Sequence, residues 1–192
     1  MPTRNLGKTG YKVAIFSLGG QSAIEQPNNF DTAVPLIDII DRHPFDATIL
    51  ALNAADAHNP HSFTDRLLPL AVEKQMGIIG MKIAARGRIL SNWTPPPVEE
   101  QQRSWEGVAT RPGTLNIRDA MRYVLSLPVS TVILGCDSIA QLEENVQIAR
   151  EFTPLSQAQM AALSNLAAPV ARQSLFFHFE TRPRDIDSAH SG

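Results

Sequence analysis

The sequence has one cysteine, Cys136, and few aromatic residues, which make up 6% of its 192 positions. A lone cysteine cannot form an internal disulfide, which excludes the disulfide frameworks of small secreted domains and fits a reducing compartment. No run of eighteen apolar residues occurs, and the first residues contain no apolar stretch, so we expect neither a membrane span nor a signal peptide. We therefore expect a soluble, cytoplasmic protein.

An excess of charge of one sign is also missing. The chain has 17 Lys and Arg against 19 Asp and Glu, a net charge of −2, and no block of like charges. Nucleic-acid binding usually requires a basic stripe or patch, so we expect no nucleic-acid partner. A chain of this length that is 43% hydrophobic can bury one core but is too short for two ordinary domains.

Short apolar runs alternate with segments of helical periodicity. Four runs predict buried strands, at Val13–Gly20, Ala47–Asn53, Met76–Ile83 and Thr131–Cys136. Helices are predicted at 30–41, from Ser62 to 74, at 114–127, from Ser138 through 148 and at 157–171, with Ser62, Ser138 and Ser156 as N-caps. Glycines in Leu6–Gly10 predict an N-terminal β-hairpin, and Ala84–Pro112 is irregular. Trp93 and Trp105 in that stretch are interpreted as anchors of the loop rather than as a lid.

Strands that are apolar on both faces and alternate with helices indicate a parallel sheet covered by helices. The predicted class is α/β, an incomplete (β/α)8 TIM barrel with four strand–helix units, because a closed barrel has eight units and takes about 250 residues. One domain is predicted over 1–180. Residues 181–192 are polar, lack aromatics and are predicted to be a disordered tail.

Candidate functional residues follow the predicted strands, because active sites of this architecture lie at the carboxyl ends of the strands. Asp56, His58 and His61 share one such loop, but two histidines and a carboxylate are one ligand short of an ordinary zinc site. We interpret them as solvated loop residues and predict no metal. Lys82 and Arg86 either contact a pyrophosphate or are surface cations.

Two stretches resemble the aldo-keto reductases, in particular the bacterial branch related to potassium-channel β subunits. The first comprises Arg4, Leu6–Gly7, Thr9–Gly10, Val13 and Leu18–Gly20 and is similar to the opening hairpin and first barrel strand of that family. The second comprises Pro128–Gly135, Ser138, Gln141–Leu142 and Glu144–Asn145. It resembles the last strand and the helix that holds the adenosine phosphate. Met76–Lys82 resembles the seventh strand, and Pro154–Ser156 resembles the start of the closing helix.

The resemblance implies an NAD(P)-dependent oxidoreductase of carbonyls or alcohols, with NADP or NAD as cofactor and a small carbonyl compound as substrate. The cofactor-binding residues that it implies are Gly135, Cys136, Ser138, Gln141, Glu144, Asn145, Asn53 and Lys82. A helix N-terminus attracts phosphate, which suits Ser138. No Lys or Arg stands at Gly135 or Gln141, so the choice between NADP and NAD stays open. Cys136 is expected to be a buried, inert thiol.

The catalytic part of the family pattern has no counterpart here. Strands two to five of the family's barrel are missing between about Asp38 and Arg42, and with them the catalytic Asp, Tyr, Lys and His. Tyr11 falls in the predicted hairpin and Tyr123 in a helix, so neither is the proton donor. Asp31 is interpreted as a helix N-cap. We therefore predict no catalytic residue.

Whether the chain is an enzyme is accordingly left open. The alternative is a non-catalytic nucleotide-binding or interaction module, in which two half-barrels pair as a homo-oligomer through their open edges, since exposed sheet edges favour association. A third hypothesis is a deletion product with no function of its own.

Overall fold

The computed structural model describes residues 3–5, 10–14, 40–43, 45–60, 62–101 and 108–176. Strands β1 (Thr3–Asn5) and β2 (Lys12–Ala14) pair antiparallel, which confirms the N-terminal hairpin. The first predicted barrel strand, 13–20, is described only at its first two residues, and these belong to β2. The rest of it, most of the predicted helix at 30–41, Asp31 and the predicted tail lie outside the described residues.

The central sheet is parallel and has three described strands in the order β3 (Ala47–Ala51), β4 (Gly77–Met81) and β5 (Thr131–Val132). Ala47 is opposite Gly77, and Ile79 is opposite Thr131. Gly80 permits close packing, because a Cβ there would lie 3.1 Å from a methyl group of Val124. The parallel α/β class is confirmed in this part of the chain. The described strands form an open sheet, and they do not establish the predicted number of barrel units.

Each strand is shorter than its apolar run predicted. The difference in length is largest for β5, since only one further main-chain hydrogen bond, from Ile133 N to Gly80 O at 2.8 Å, continues its pairing with β4 beyond Val132. The chain then leaves the sheet before Cys136. The edge of the described sheet at β5 is therefore short.

Five described α-helices follow: α1 (Leu67–Glu73), α2 (Ile117–Leu125), α3 (Ile139–Arg150), α4 (Gln157–Ala167) and α5 (Ala171–Ser174). Ser138 caps α3 as predicted, because its hydroxyl accepts a hydrogen bond from Gln141 N at 3.2 Å. Ser156 and Gln159 form a capping box on α4. The predicted helix at 157–171 is interrupted by a 3₁₀ turn, Ala168–Val170, at Pro169, which cannot donate a backbone hydrogen bond.

Ser62 was expected to cap the helix before Lys74, and this prediction is wrong. Its hydroxyl accepts from Asp65 N at 3.2 Å and donates to Asp56, so it holds a turn at 63–66. The helix begins only after that turn, at Leu67, with Arg66 as its N-cap residue.

The core lies between the helices and the face of the sheet that they cover. Its fully buried members include Leu50, Leu52, Phe63, Leu67, Ile78, Ile89, Leu115, Val124, Ile148 and Phe176. None of the described helices has the length and apolarity needed to cross a membrane.

The stretch predicted to be irregular, Ala84–Pro112, is closely held where it is described. Leu90 and Leu115 form an isolated parallel bridge, and Ser91 N donates to Leu115 O at 2.7 Å. The half-buried ring of Trp93 lies against Gly87, where a Cβ would overlap it. Trp93 thus anchors this loop, whereas Trp105 lies outside the described residues.

Candidate functional site

The candidate site is the edge of the sheet at which β3, β4 and β5 all end. Parallel strands bring their carboxyl ends to one edge, so Asn53, Lys82 and Gly135–Cys136 leave the sheet on the same side. The structure thereby places the predicted cofactor residues in two groups along one edge. One group follows β3 and β4, and the other follows β5.

Asn53 joins the first two strand exits. Its side chain is 1% exposed; Oδ1 accepts from Ala55 N at 2.9 Å, and Nδ2 donates to Lys82 O at 3.3 Å. A buried amide satisfied by main-chain partners on two loops holds those loops together. In the described state, Asn53 therefore positions the loops at this edge, and contact of Asn53 with a cofactor remains a prediction.

Lys82 belongs to a cluster of three cations around one aromatic ring. Lys82 Nζ, Arg86 Cζ and Arg88 Cζ lie 5.6, 5.4 and 4.5 Å from the centroid of the buried Phe176 ring. Burial, together with the charge of Arg86, lowers the pKa of Arg88. Cation–π contacts stabilise like charges that would otherwise repel, and the cluster favours anions at this edge.

Arg88 and Phe176 were missed by the sequence reasoning. Arg88 is only two residues beyond Arg86, so the density of cations after the strand was a visible signal. Phe176 had no local signal, because it lies far along the chain from Arg88 and only the fold brings the two together. Gln173 strengthens this contact by donating from Nε2 to the carbonyls of Arg88 and Arg111, each at 2.8 Å.

The second group surrounds the N-terminus of α3. Gln141 Oε1 accepts from Asp137 N at 2.7 Å, while Asn145 Nδ2 donates to Cys136 Sγ at 3.2 Å. Gly135, Ser138 and Glu144 are exposed beside them. The expectation that Cys136 is buried is wrong: the thiol is exposed, because β5 ends early and the chain has already left the sheet.

Asp56 and His58 serve different partners. Asp56 is fully buried and accepts from Ser62 Oγ at 2.7 Å and Thr64 N at 2.8 Å, so the interpretation as a solvated residue is wrong for it. The exposed His58 directs Nε2 toward Ser164 O, 2.8 Å away on α4. His61 lies outside the described residues. In the described part of the chain, no three His, Cys, Asp or Glu side chains gather as metal ligands would.

Tyr123 lies in α2, as predicted, and is buried. Burial and the charges of Asp56 and Asp65 raise its pKa. A raised pKa is the opposite of what proton donation near neutral pH requires. Tyr11 is exposed next to β2, in the hairpin region.

The raised pKa of Tyr123 predicts a loss of stability in alkaline solution. Unfolded tyrosine releases its proton near pH 10, whereas folded Tyr123 keeps it to higher pH, so the free energy of unfolding should fall as pH rises above about 10. Urea unfolding should show that the free energy of unfolding falls less between pH 8 and a pH above 10 for Tyr123→Phe than for the parent protein. Absorbance at 295 nm in a Tyr11→Phe background should show a higher midpoint for folded than for urea-unfolded protein; equal midpoints would contradict the shift.

A cavity of about 480 Å³ lies at the opposite, amino-terminal edge of β3 and β4. Its lining includes Ile40, Phe45 and Met76, together with the exposed ion pair Lys74–Asp41, whose atoms are 2.8 Å apart. None of the predicted cofactor residues lines it. The cavity is therefore separate from the candidate site.

No protein-family model and no curated protein matches the chain. Among solved structures, it is similar to aldo-keto reductase AKR11C1 from Bacillus halodurans in its holo and apo forms, with 22% identity and a TM-score of 0.48 in both cases. The matches cover 73% of this chain and 49% and 50% of those chains, so this chain spans about half their length. The likeness is distant, and the family of this chain is a proposal.

Proposed function

We propose that the carboxyl edge of the sheet binds a nicotinamide dinucleotide, NADP or NAD, and that the chain is an internally shortened aldo-keto reductase that retains the cofactor end of the barrel. The observation that carries the proposal is the gathering of Asn53, Lys82 and the N-terminal residues of α3 at the same edge. In α/β folds, ligands bind at this edge of the sheet. The family assignment itself rests on the sequence motifs.

The phosphates are the part of a dinucleotide best suited to this edge. The first N–H groups of α3 carry partial positive charge, and the cluster of Lys82, Arg86 and Arg88 adds full charges after β4. Together they offer two anion-attracting positions on one edge. A pyrophosphate and, in NADP, a 2′-phosphate apart from it suit such an arrangement.

The residues support binding of the dinucleotide without the carbonyl reduction that is typical of the family. The sequence contains two tyrosines, one exposed in the hairpin and one buried with its pKa raised. Neither is suited to donate a proton to a carbonyl at the candidate site near neutral pH. A carbonyl substrate and a cytoplasmic location remain expectations that come with the resemblance and the composition.

The proposal is tested by adding a negative charge at the phosphate position without removing the helix cap. Aspartate caps helices as well as serine does, so Ser138→Asp should keep α3 intact while repelling phosphate. We expect the Kd for NADPH, measured by nucleotide fluorescence, to rise by about tenfold or more, which corresponds to about 1.4 kcal/mol. Parallel titration with NADH shows which dinucleotide the chain prefers.

Ser156→Asp provides the matched control, because it makes the same substitution at the N-cap of α4. Its Kd should equal that of the parent protein. Absence of binding to the parent at millimolar NADPH and NADH would refute the proposal. Equal weakening by the two variants would show that general charge, rather than a site at α3, determines binding.

A further inference from the structure

One face of α3 is apolar and exposed although the helix belongs to the folded part of the chain. Ile139, Leu142 and Val146 are 76%, 51% and 40% exposed, and Ala149 is exposed as well. The opposite situation holds for Ile148, which is 1% exposed and packs into the core. The helix therefore has a buried face and, beside it, an exposed apolar face, which we call the α3 stripe.

The spacing within the α3 stripe is that of a helix-pairing seam. Its four residues are separated by three, four and three positions, which places Ile139 and Val146 at one heptad position and Leu142 and Ala149 at the other. Apolar residues at these two heptad positions form the contact between the helices of a coiled coil.

We propose that a second copy of this chain packs on the α3 stripe, with the two α3 helices antiparallel about a twofold axis. In that arrangement Ile139 of one copy lies opposite Ala149 of the other, and Leu142 lies opposite Val146, so a large side chain always meets a smaller one. The opposed helix macrodipoles also favour antiparallel pairing.

Charge complementarity supports both the occupant and the orientation. Glu143 and Arg150 are exposed and occupy equivalent positions of successive heptads, on the same flank of the α3 stripe. In an antiparallel pair, Glu143 of each copy meets Arg150 of the other, which gives two symmetric ion pairs. In a parallel pair, Glu143 would instead face Ser138, and Arg150 would face Asn145, so no ion pair would form.

The first test is the mass of the full chain in solution. Sedimentation velocity and light scattering over a range of micromolar concentrations should give a dimer for the parent protein and a monomer for Leu142→Glu, whose dimer dissociation constant should be at least about tenfold higher. Leu166→Glu is the control, because Leu166 is equally exposed, at 53%, but lies on α4. This control should remain dimeric. Circular dichroism of each variant checks that the fold is kept.

Charge exchange tests the orientation. Glu143→Arg and Arg150→Glu should each weaken the dimer severalfold, whereas the double variant should restore the parent affinity, because the ion pairs re-form with reversed signs. A parent protein that stays monomeric at high concentration would overturn the proposal and indicate that another part of the chain or another protein covers the stripe. Equal loss in Leu142→Glu and Leu166→Glu, or no recovery in the double variant, would also overturn it.

Discussion

Replacement of Gly113 by alanine is expected to lower the free energy of unfolding by about 3 kcal/mol, at the upper end of the usual cost of overpacking. Gly113 lies where the chain crosses the loop after β4. Its N–H donates to Leu90 O at 2.9 Å, and the next two amides, Thr114 N and Leu115 N, donate to Ile89 O. A Cβ at Gly113 would overlap the main chain of Ile89 and Leu90. Because the backbone cannot move aside as a flexible side chain can, the segment at Gly113 and the segment at Ile89 and Leu90 have to move apart.

Gly135→Ala is the matched control for this substitution. A Cβ at Gly135 would have no heavy atom within 4 Å, so the change should alter the free energy of unfolding by no more than about 0.5 kcal/mol, as surface substitutions do. Urea unfolding followed by circular dichroism measures both variants. If Gly113→Ala and Gly135→Ala unfold at the same urea concentration, the close crossing at Ile89 is not present in solution.

The crossing at Gly113 also shows what local patterns could not predict. Residues 84–112 have no periodicity and contain several prolines, so the sequence predicts an irregular stretch. Its order comes from pairings over distance, such as Leu90 with Leu115 and Gln173 with the carbonyl of Arg88. Neither partner signals the other in the sequence, because such pairings depend on how the elements pack.

Features that depend on neighbouring residues were predicted much better. Ser138 and Ser156 cap α3 and α4 as their sequence contexts indicated, since a cap needs only the amides of the following turn. The three strands of the central sheet were found, although with ends placed too far along the chain. The error at β5 had a consequence for the site. A longer β5 would include Cys136, which was therefore expected to be buried, whereas its thiol is exposed in the structure.

For the candidate site, the sequence resemblance indicated the candidate residues, and the parallel topology explains why they share an edge. The electrostatic part was less visible. Arg88 and Phe176 complete the cation cluster with Lys82 and Arg86, and this depends on the packing of Phe176, which is distant in sequence, against the loop after β4. A pattern search restricted to single loops cannot find such a cluster.

The second large effect is expected for Asp56→Ala. The Asp56 carboxylate is completely buried and accepts hydrogen bonds from Ser62 Oγ, Thr64 N and Phe63 N at 2.7, 2.8 and 3.4 Å. Removing it leaves donors in the loop after β3 without an acceptor, away from water. We expect a loss of about 3 kcal/mol in the free energy of unfolding, the sum of one or two unsatisfied buried groups.

Asp65→Ala is the control for Asp56→Ala, since Asp65 lies in the same loop with an exposed side chain. Its effect on the urea midpoint should be small, within about 0.5 kcal/mol. The titration of Tyr123 provides a second measurement, because the charge of Asp56 contributes to the raised pKa of Tyr123. In folded Asp56→Ala, the 295 nm titration of Tyr123 should shift to lower pH. A variant that loses stability without this shift would place the carboxylate away from Tyr123, whereas a shift without loss of stability would mean that the hydrogen bonds of Asp56 do not order the loop.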